Sequence, residues 1–287
     1  MTTTVDRLIV EPGDTAVIDG MPDGLYHAHP ALSYSGAKLL LPPSTPAHYR
    51  YDRDNPRPPK RAYDLGHAAH RIVLGVGAEL VDIDADSYRT KAAQEDRDAA
   101  YDAGKTPLLP RERAAAQAMA DAVRAHPLAG RLFSNGRPEV SLFWIDEQTG
   151  VPLRSRLDWL RDTQPGRVLI VPDLKTSHGS VHPDVLPRVV ESYRYHLQHS
   201  MYENGITACG LAPDGVAFVL VFVEKEQPHA VNVVQLDQDA INTGRALNLR
   251  AIEIYRDCLQ SGIWPAHPAE VHTIGLPRWA MRSEEDW

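Results

Sequence analysis

A mixed α/β fold is predicted by three features of the chain. Short β-branched runs alternate with helical periodicity from residue 136 to residue 260, turn-rich breaks join four of those runs into two hairpins, and an Ala-rich, charged stretch precedes them. The order reads helices, β-β-β, α, β-β, α. At 287 residues and 43% hydrophobic content, the chain suits one large domain or two small ones with a buried core. A charged fraction of 24%, without long repeats or low-complexity tracts, argues against wholesale disorder.

Residues 1–30 carry turn formers (Pro12-Gly13-Asp14, Asp19-Gly20, Pro22-Asp23-Gly24) around Thr15-Ala-Val-Ile18, which predicts a loosely structured arm with one strand. Ser33-Tyr-Ser-Gly-Ala-Lys-Leu-Leu-Leu41 reads as a capped short helix stopped by Pro42-Pro43, and Ser44 as the cap of another. Lys38, Arg50, Arg53, Arg57, Lys60 and Arg61 make the next segment basic: either a solvated loop or a rim that touches phosphate. Between Asp64 and Leu74, the positions Leu65, Ala68, Ala69, Ile72 and Val73 fall on one helix face, predicting a buried helix with His67 and His70 as neighbours. Segments Arg89 to Ala103 and Glu112 to Ala125 are helical in composition, separated by Gly104-Lys-Thr-Pro107.

Glu139 to Ile145 and Val151 to Leu160 form the first predicted hairpin, across Asp146-Glu-Gln-Thr-Gly150. A third strand begins in Val168 to Val171 and ends in charge at Asp173 and Lys175. A long helix is expected from Asp184 to Asn204, stopped by Gly205, with Gln198 and Tyr202 on one face and Arg194 and Glu191 in line behind them. Gly215 to Glu224 and His229 to Leu236 make the second hairpin, across Gln227-Pro228, and Asp237 to Gln260 a closing amphipathic helix. The tail, with Trp264, Trp279 and Trp287, reads as packed loop.

Several function classes are excluded early. The longest apolar run, Val216 to Val223, is too short to span a bilayer, and no basic-then-apolar signal pattern opens the chain, so a soluble, cytoplasmic protein is expected. Cys209 and Cys258 cannot build a four-thiolate metal site and read as reduced thiols. A net charge of −8 gives no support for nucleic-acid binding by the whole surface, so any DNA must be held by a local basic groove.

The chemistry concentrates in Arg167-Val-Leu-Ile-Val-Pro-Asp-Leu-Lys-Thr-Ser177. Side chains alternate along a strand, so Asp173 and Lys175 point the same way, roughly 6.6 Å apart along the rise, with Leu174 on the opposite face. Asp158 lies on the preceding strand, in Arg154-Ser-Arg-Leu-Asp-Trp-Leu160, where two strands can bring both carboxylates to one metal. Mg²⁺ is a hard ion held by one or two carboxylates plus other oxygens, which Asp158, Asp173 and the Leu174 carbonyl would provide, and Lys175 would orient the attacking water. On spacing alone, an Asp173–Lys175 ion pair at a sheet edge explains the same residues. A zinc site from His178 and His182, or His196 and His199, has helical spacing but no HExxH motif.

The ordered set goes further. Asp158, Asp173-Leu174-Lys175 and Gln198-His-Ser-Met-Tyr202 resemble the PD-(D/E)XK nuclease superfamily, and within it the RecE-type exonucleases of phages and prophages. Ser33-Tyr-Ser-Gly-Ala-Lys38, Ala47-His-Tyr49, Leu65-Gly-His-Ala-Ala-His70, Gly104-Lys105, Gly136 with Glu139, Gly150, Arg156-Leu-Asp158-Trp159 and Tyr195-His-Leu-Gln198 match that group's landmarks over residues 30 to 265. The resemblance implies a restriction-endonuclease-like core sheet flanked by helices. It implies Asp158 and Asp173 as metal ligands with the Leu174 carbonyl, Lys175 as the catalytic lysine, and His70 as an active-site histidine and further ligand. Gln198 and Tyr202 become the polar helix face beside the site, and Glu139 an additional acid.

The expected organisation is an N-terminal arm (1–30), a helical layer that contributes the histidine (31–135) and a nuclease core (136–287), the last two forming one compact unit. The implied activity is Mg²⁺-dependent hydrolysis of linear double-stranded DNA from a free end, 5′ to 3′, with Mn²⁺ as a substitute. It would leave 3′ single strands for an annealing protein and act as a ring-like homo-oligomer without a membrane partner. The alternatives are an endonuclease or a non-catalytic DNA-binding module on the same fold. Pro172, directly before the second acid, departs from the pattern, because a proline in a strand predicts an edge or an irregularity.

Overall fold

The computed structural model describes residues 11, 13–56 and 58–277. Arg57, Trp279 and Trp287, and residues 1–10 and 12 of the expected arm, lie outside the described residues. In chain order the first elements are β1 (Ala16–Ile18), α1 (Asp23–Ala28), β2 (Leu32–Ser33), α2 (Tyr34–Leu40) and α3 (Pro46–Asp54). Then come α4 (Asp64–Leu74), β3 (Leu80–Asp82), α5 (Lys91–Asp102), β4 (Thr106–Leu108), α6 (Pro110–Ala125) and α7 (Ala129–Leu132). The C-terminal half holds β5 (Gly136–Ile145), β6 (Pro152–Arg161), β7 (Leu169–Ser177), α8 (Leu186–Tyr193), α9 (Tyr195–Ala208), β8 (Val216–Glu224), β9 (Val231–Val234) and α10 (Gln238–Ser261). The predicted mixed α/β class is therefore correct.

Two ladders form the centre. One has the order β1-β5-β6-β2, the other β7-β8-β9. The β5–β6 hairpin closes through Asp146, whose carboxylate accepts from the Thr149 N–H at 2.9 Å and hydroxyl at 2.6 Å. β7 and β8 run parallel over nine register pairs, because α8 and α9 carry the chain back across the sheet, and β9 returns antiparallel. β7 also lies beside β6. There, a side chain bridges the two ladders: the Leu174 N–H donates to Asp158 Oδ2 at 2.7 Å.

Each face of the β7–β8 pair is covered, which explains the near-continuous apolar character of both strands. Leu169, Val171, Leu220 and Phe222 pack with Leu197 and Met201 of α9 and with Ile252 of α10. On the other side, Leu174, Val221 and Val223 meet Ala69 of α4 and Met119 and Val123 of α6. Burying such a side chain contributes about 1.5–3 kcal/mol. The same alternation that sends Leu174 toward α4 sends Asp173 toward α9, into the interior.

Several expectations need correction. The predicted helix from Asp184 to Asn204 is two helices, broken at Arg194, whose φ of +61° is left-handed, and the second runs on to Ala208. Gly205 does not stop it; a Cβ there would stand 2.6 Å from Trp144, so glycine permits close packing of α9 on β5. Ser44 does not cap α3, which starts at Pro46 after Thr45. The arm is more structured than expected: it supplies β1, α1 and the approach to β2, and β1 pairs with β5. The Gly104–Pro107 break includes part of β4, which pairs in parallel with β3.

Other expectations hold. α4 has the predicted limits and ends at Gly75, with φ +81°. Ser33 caps α2 by accepting from the Gly36 N–H, and Asp237 caps α10 by accepting from the Ala240 N–H at 2.8 Å. Trp264 in the tail stacks on Tyr49 with ring centroids 5.4 Å apart. Of the basic segment, Arg61 pairs with Glu112 at 2.8 Å and Arg50 with Asp54 at 2.7 Å.

Pro172 sits inside β7, in register with Val219. Backbone N–H groups alternate sides along a strand, so residue 172 faces the same side as residue 174, toward β6. No backbone ladder joins β7 to β6 among the described residues, so the missing donor costs the β7–β8 pairing nothing.

Candidate active site

The Asp173–Lys175 pair is real but not a surface feature. Asp173 is 2% exposed, and its Oδ2 lies 2.5 Å from Lys175 Nζ. The other oxygen, Oδ1, accepts from Gln198 Nε2 at 2.7 Å. Gln198 is on α9, and Tyr195, three residues earlier on the same face, places its ring 4.7 Å from the Lys175 ammonium. Burial disfavours the ammonium, but Asp173, Tyr195 and Asp158 outweigh it and hold its pKa above the usual lysine range. Tyr202, one turn beyond Gln198, is buried and lies against it; burial, with Tyr26, Asp173 and Asp158 nearby, keeps the phenol protonated.

Asp158 reaches the same place from β6. Burial, and then the charge of Asp173, push its carboxyl up to about 8, against the opposing pull of Lys175 and the Leu174 amide. The charge of Asp173 thus opposes ionisation of Asp158. His70 Nδ1 on α4 is 3.6 Å from Asp158 Oδ2, and the imidazole also bonds to the Leu174 backbone. Burial and Lys175 lower His70 to about 4, so it is neutral at neutral pH and free to act as a ligand.

Glu139 completes the group by an irregularity in the hairpin. The β5–β6 register pairs Pro138 with Trp159 and Val140 with Leu157, but skips the step between, where Glu139 would face Asp158. Glu139 has φ +46°, a left-handed conformation that costs a non-glycine residue about 1–3 kcal/mol. Its Oε2 lies 3.9 Å from Arg156 Nη1, and burial raises its pKa, followed by the charge of Asp23. Arg156 in turn pairs with Asp23, donates to the Met21 carbonyl at 2.8 Å and lies over the Tyr26 ring at 4.2 Å, fastening α1 beside the site.

A cavity of about 420 Å³ opens onto the group, lined by His67, His70, Glu139, Leu174, Lys175, Tyr195 and Lys225 among others. A larger cleft of about 620 Å³, between α8 and α10, contains none of the predicted site residues. All seven predicted side chains are therefore in or beside one place, with Gln198 and Tyr202 behind the carboxylates. Sequence reasoning gave no role to Tyr195, Lys225 or Arg156. Tyr195 had a usable signal in its i, i+3 spacing to Gln198. Lys225 had none, because it joins the site through the parallel pairing of Ser177 with Glu224.

The residues fit a hard divalent cation. Asp173 Oδ2 is buried with only the Lys175 ammonium against it, Asp158 is held abnormally protonated, and the Leu174 carbonyl belongs to the same strand. Among the described residues, no group of three or more His, Cys, Asp or Glu side chains is placed to hold a metal ion. A cation would therefore take two carboxylates, a carbonyl and water, which is the usual Mg²⁺ manner.

Comparison with known proteins bears on the fold and the family. Among solved structures, a crystal structure from Eubacterium rectale described as a "putative exonuclease" aligns with a TM-score of 0.57 at 11% identity, covering 86% of this chain and 91% of that one. This is a likeness of fold. The structure of SSO0001 aligns at a TM-score of 0.31 and 16% identity, over 71% of this chain and 96% of that one, too weak to carry an argument. A search of curated proteins gives no match. No helix among the described residues is long and apolar enough to cross a membrane. The model of a family described as "PDDEXK-like domain of unknown function (DUF3799)" matches residues 44–275. The chain belongs to this family of PDDEXK-like domains, and its fold is of the PD-(D/E)XK nuclease type.

Proposed function

We propose that this chain is a Mg²⁺-dependent exodeoxyribonuclease of the RecE type. One observation carries the reading: Asp158, Asp173 and Lys175 meet in a partly buried cluster beside an open cavity, with Gln198 fixing the second acid. When bound, Mg²⁺ (or Mn²⁺) supplies Lewis-acid stabilisation of the phosphate and a more acidic water. Asp158, Asp173 and the Leu174 carbonyl would hold it, and His70, beside Asp158, would become a further ligand only by closing on the ion. Lys175 keeps its proton and its place over the Tyr195 ring, so it presents a fixed positive charge to the scissile phosphate and orients the attacking water. Gln198 holds Oδ1 of Asp173, and Oδ2, which faces Lys175, would be shared with the cation; Tyr202 buttresses Gln198. Glu139 is an additional acid at the cavity wall.

The finer reading is hydrolysis of linear double-stranded DNA from a free end, 5′ to 3′, leaving 3′ tails for an annealing protein. It includes a ring-like homo-oligomer in the cytoplasm, in which a basic lumen coexists with the chain's net charge of −8. In this reading residues 1–30 are an arm, 31–135 the layer that supplies His70, and 136–287 the nuclease core. The test is incubation of the purified protein with Mg²⁺ and equal amounts of linear and covalently closed DNA. Loss of the linear form alone is expected. Cutting of closed circles would replace the exonuclease by an endonuclease, and loss of neither would favour a non-catalytic binding module.

A further inference from the structure

The break between α8 and α9 exposes a feature that hydrolysis alone does not use. Tyr193 and Tyr195 flank the left-handed Arg194, and their rings stack with centroids 5.5 Å apart and planes 10° apart. Tyr195 lines the active-site cavity and carries Lys175 over its ring, whereas Tyr193 is 53% exposed. A phenol stacked so flatly, with its partner at the catalytic lysine, forms a step from the cavity to the surface. The α2 helix closes one side: the Tyr34 hydroxyl donates to the Tyr193 carbonyl, and Lys38 lies 5.9 Å from the Tyr34 ring centroid. Arg194 donates to the Pro42 carbonyl at 2.9 Å, which anchors it beside that helix. Neither Lys38 nor Arg194 has a carboxylate partner among the described residues. Burial and the charges of Lys175 and Arg194 lower the pKa of Lys38, as expected for cations gathered without an anion.

We infer that Tyr193, backed by Tyr195 and flanked by Lys38 and Arg194, is a stacking shelf whose exposed ring holds an unpaired nucleotide of a DNA strand at the approach to Lys175. Aromatic faces accept any base, and paired cations accept the phosphates that follow it, so the ligand class is single-stranded or frayed nucleic acid, read without sequence. The shelf rests on the nuclease reading only for the strand's fate; binding itself needs no cleavage. It would separate the terminal nucleotide from its complement before that strand enters the cavity.

Fluorescence anisotropy in EDTA tests this, with a labelled hairpin duplex bearing either a short oligothymidine overhang or the same overhang made of abasic residues. Tyr193→Ala is expected to weaken the thymidine probe by roughly ten- to a hundredfold, leaving the abasic probe unchanged, while Tyr193→Phe restores the parent affinity. Lys38→Ala should weaken both probes and reduce the slope of log K against log salt by about 1. Equal affinity of Tyr193→Ala and the parent chain for the thymidine probe would overturn the shelf, whatever the cleavage assays show. A chain that discriminates between the two probes but cuts no DNA with Mg²⁺ would support the shelf and refute the nuclease reading.

Discussion

Replacing Gln198 by methionine removes one hydrogen bond from the site while keeping most of the side chain's volume. Gln198 is 3% exposed and donates to Asp173 Oδ1 at 2.7 Å, so the bond is to a buried carboxylate. Such bonds are worth about 1.5–3 kcal/mol, and without this one Asp173 is held by Lys175 alone and can rotate about that contact. At about 1.4 kcal/mol per decade, that range corresponds to roughly ten- to a hundredfold in metal affinity, the usual effect of removing a group that orients a ligand. The assay is the initial rate of linear-duplex cleavage against Mg²⁺ concentration. The half-saturating Mg²⁺ should rise by that factor, and saturating metal should recover much of the rate. An unchanged half-saturating concentration with an unchanged rate would refute the claim that Gln198 holds Asp173 for the cation.

Three further outcomes follow from the same structure. The raised Asp158 contributes stability that is present below its unfolded value near 3.9 and lost as pH rises toward 8, whereas the lowered His70 contributes stability lost as pH falls from 6.5 toward 4. The two oppose each other below pH 6.5, so thermal melts in EDTA should show stability falling from pH 6.5 to 8, by at most about 1.4 kcal/mol per pH unit for one proton. Mg²⁺ should flatten that slope, and a melting temperature constant over this window in EDTA would count against a protonated Asp158. Gly205→Ala should destabilise by about 1–3 kcal/mol in a urea titration, since its Cβ would stand 2.6 Å from Trp144. Asp158→Asn should remove the like-charge conflict with Asp173, raising the melting temperature in EDTA while abolishing cleavage; a lower melting temperature would show that the Asp158 bond to the Leu174 amide matters more.

The sequence made the long elements legible where local pattern and tertiary burial agree. α4 has five apolar positions on one face and a glycine at its end, and both hairpins carry alternation bounded by turn residues. Short elements were illegible for a physical reason: β3 and β4 are three residues each and exist because they pair, not because Leu-Val-Asp or Thr-Pro-Leu prefers a strand. The break at Arg194 had no signature either. A left-handed arginine is unfavourable alone, and here Arg194 bonds to the Pro42 carbonyl far upstream.

The site divides in the same way. Asp158, Asp173 and Lys175 follow from strand alternation, and Gln198 and Tyr202 from helix spacing, but only packing reveals that the ion pair is buried rather than at an edge. His70 and Glu139 came through resemblance, since one is a helix away and the other depends on a skipped register step. Arg156 fastening Asp23 across 133 positions has no local trace.

Digestion of a linear duplex labelled separately at each 5′ and 3′ end, with Mg²⁺ and with Lys175→Ala as control, tests the central claim most directly. Early release of the 5′ label as mononucleotide with the 3′ label retained is predicted, together with loss of roughly a thousandfold or more of the rate in Lys175→Ala, as for removal of a fixed transition-state charge. Equal rates for the parent chain and Lys175→Ala would contradict it.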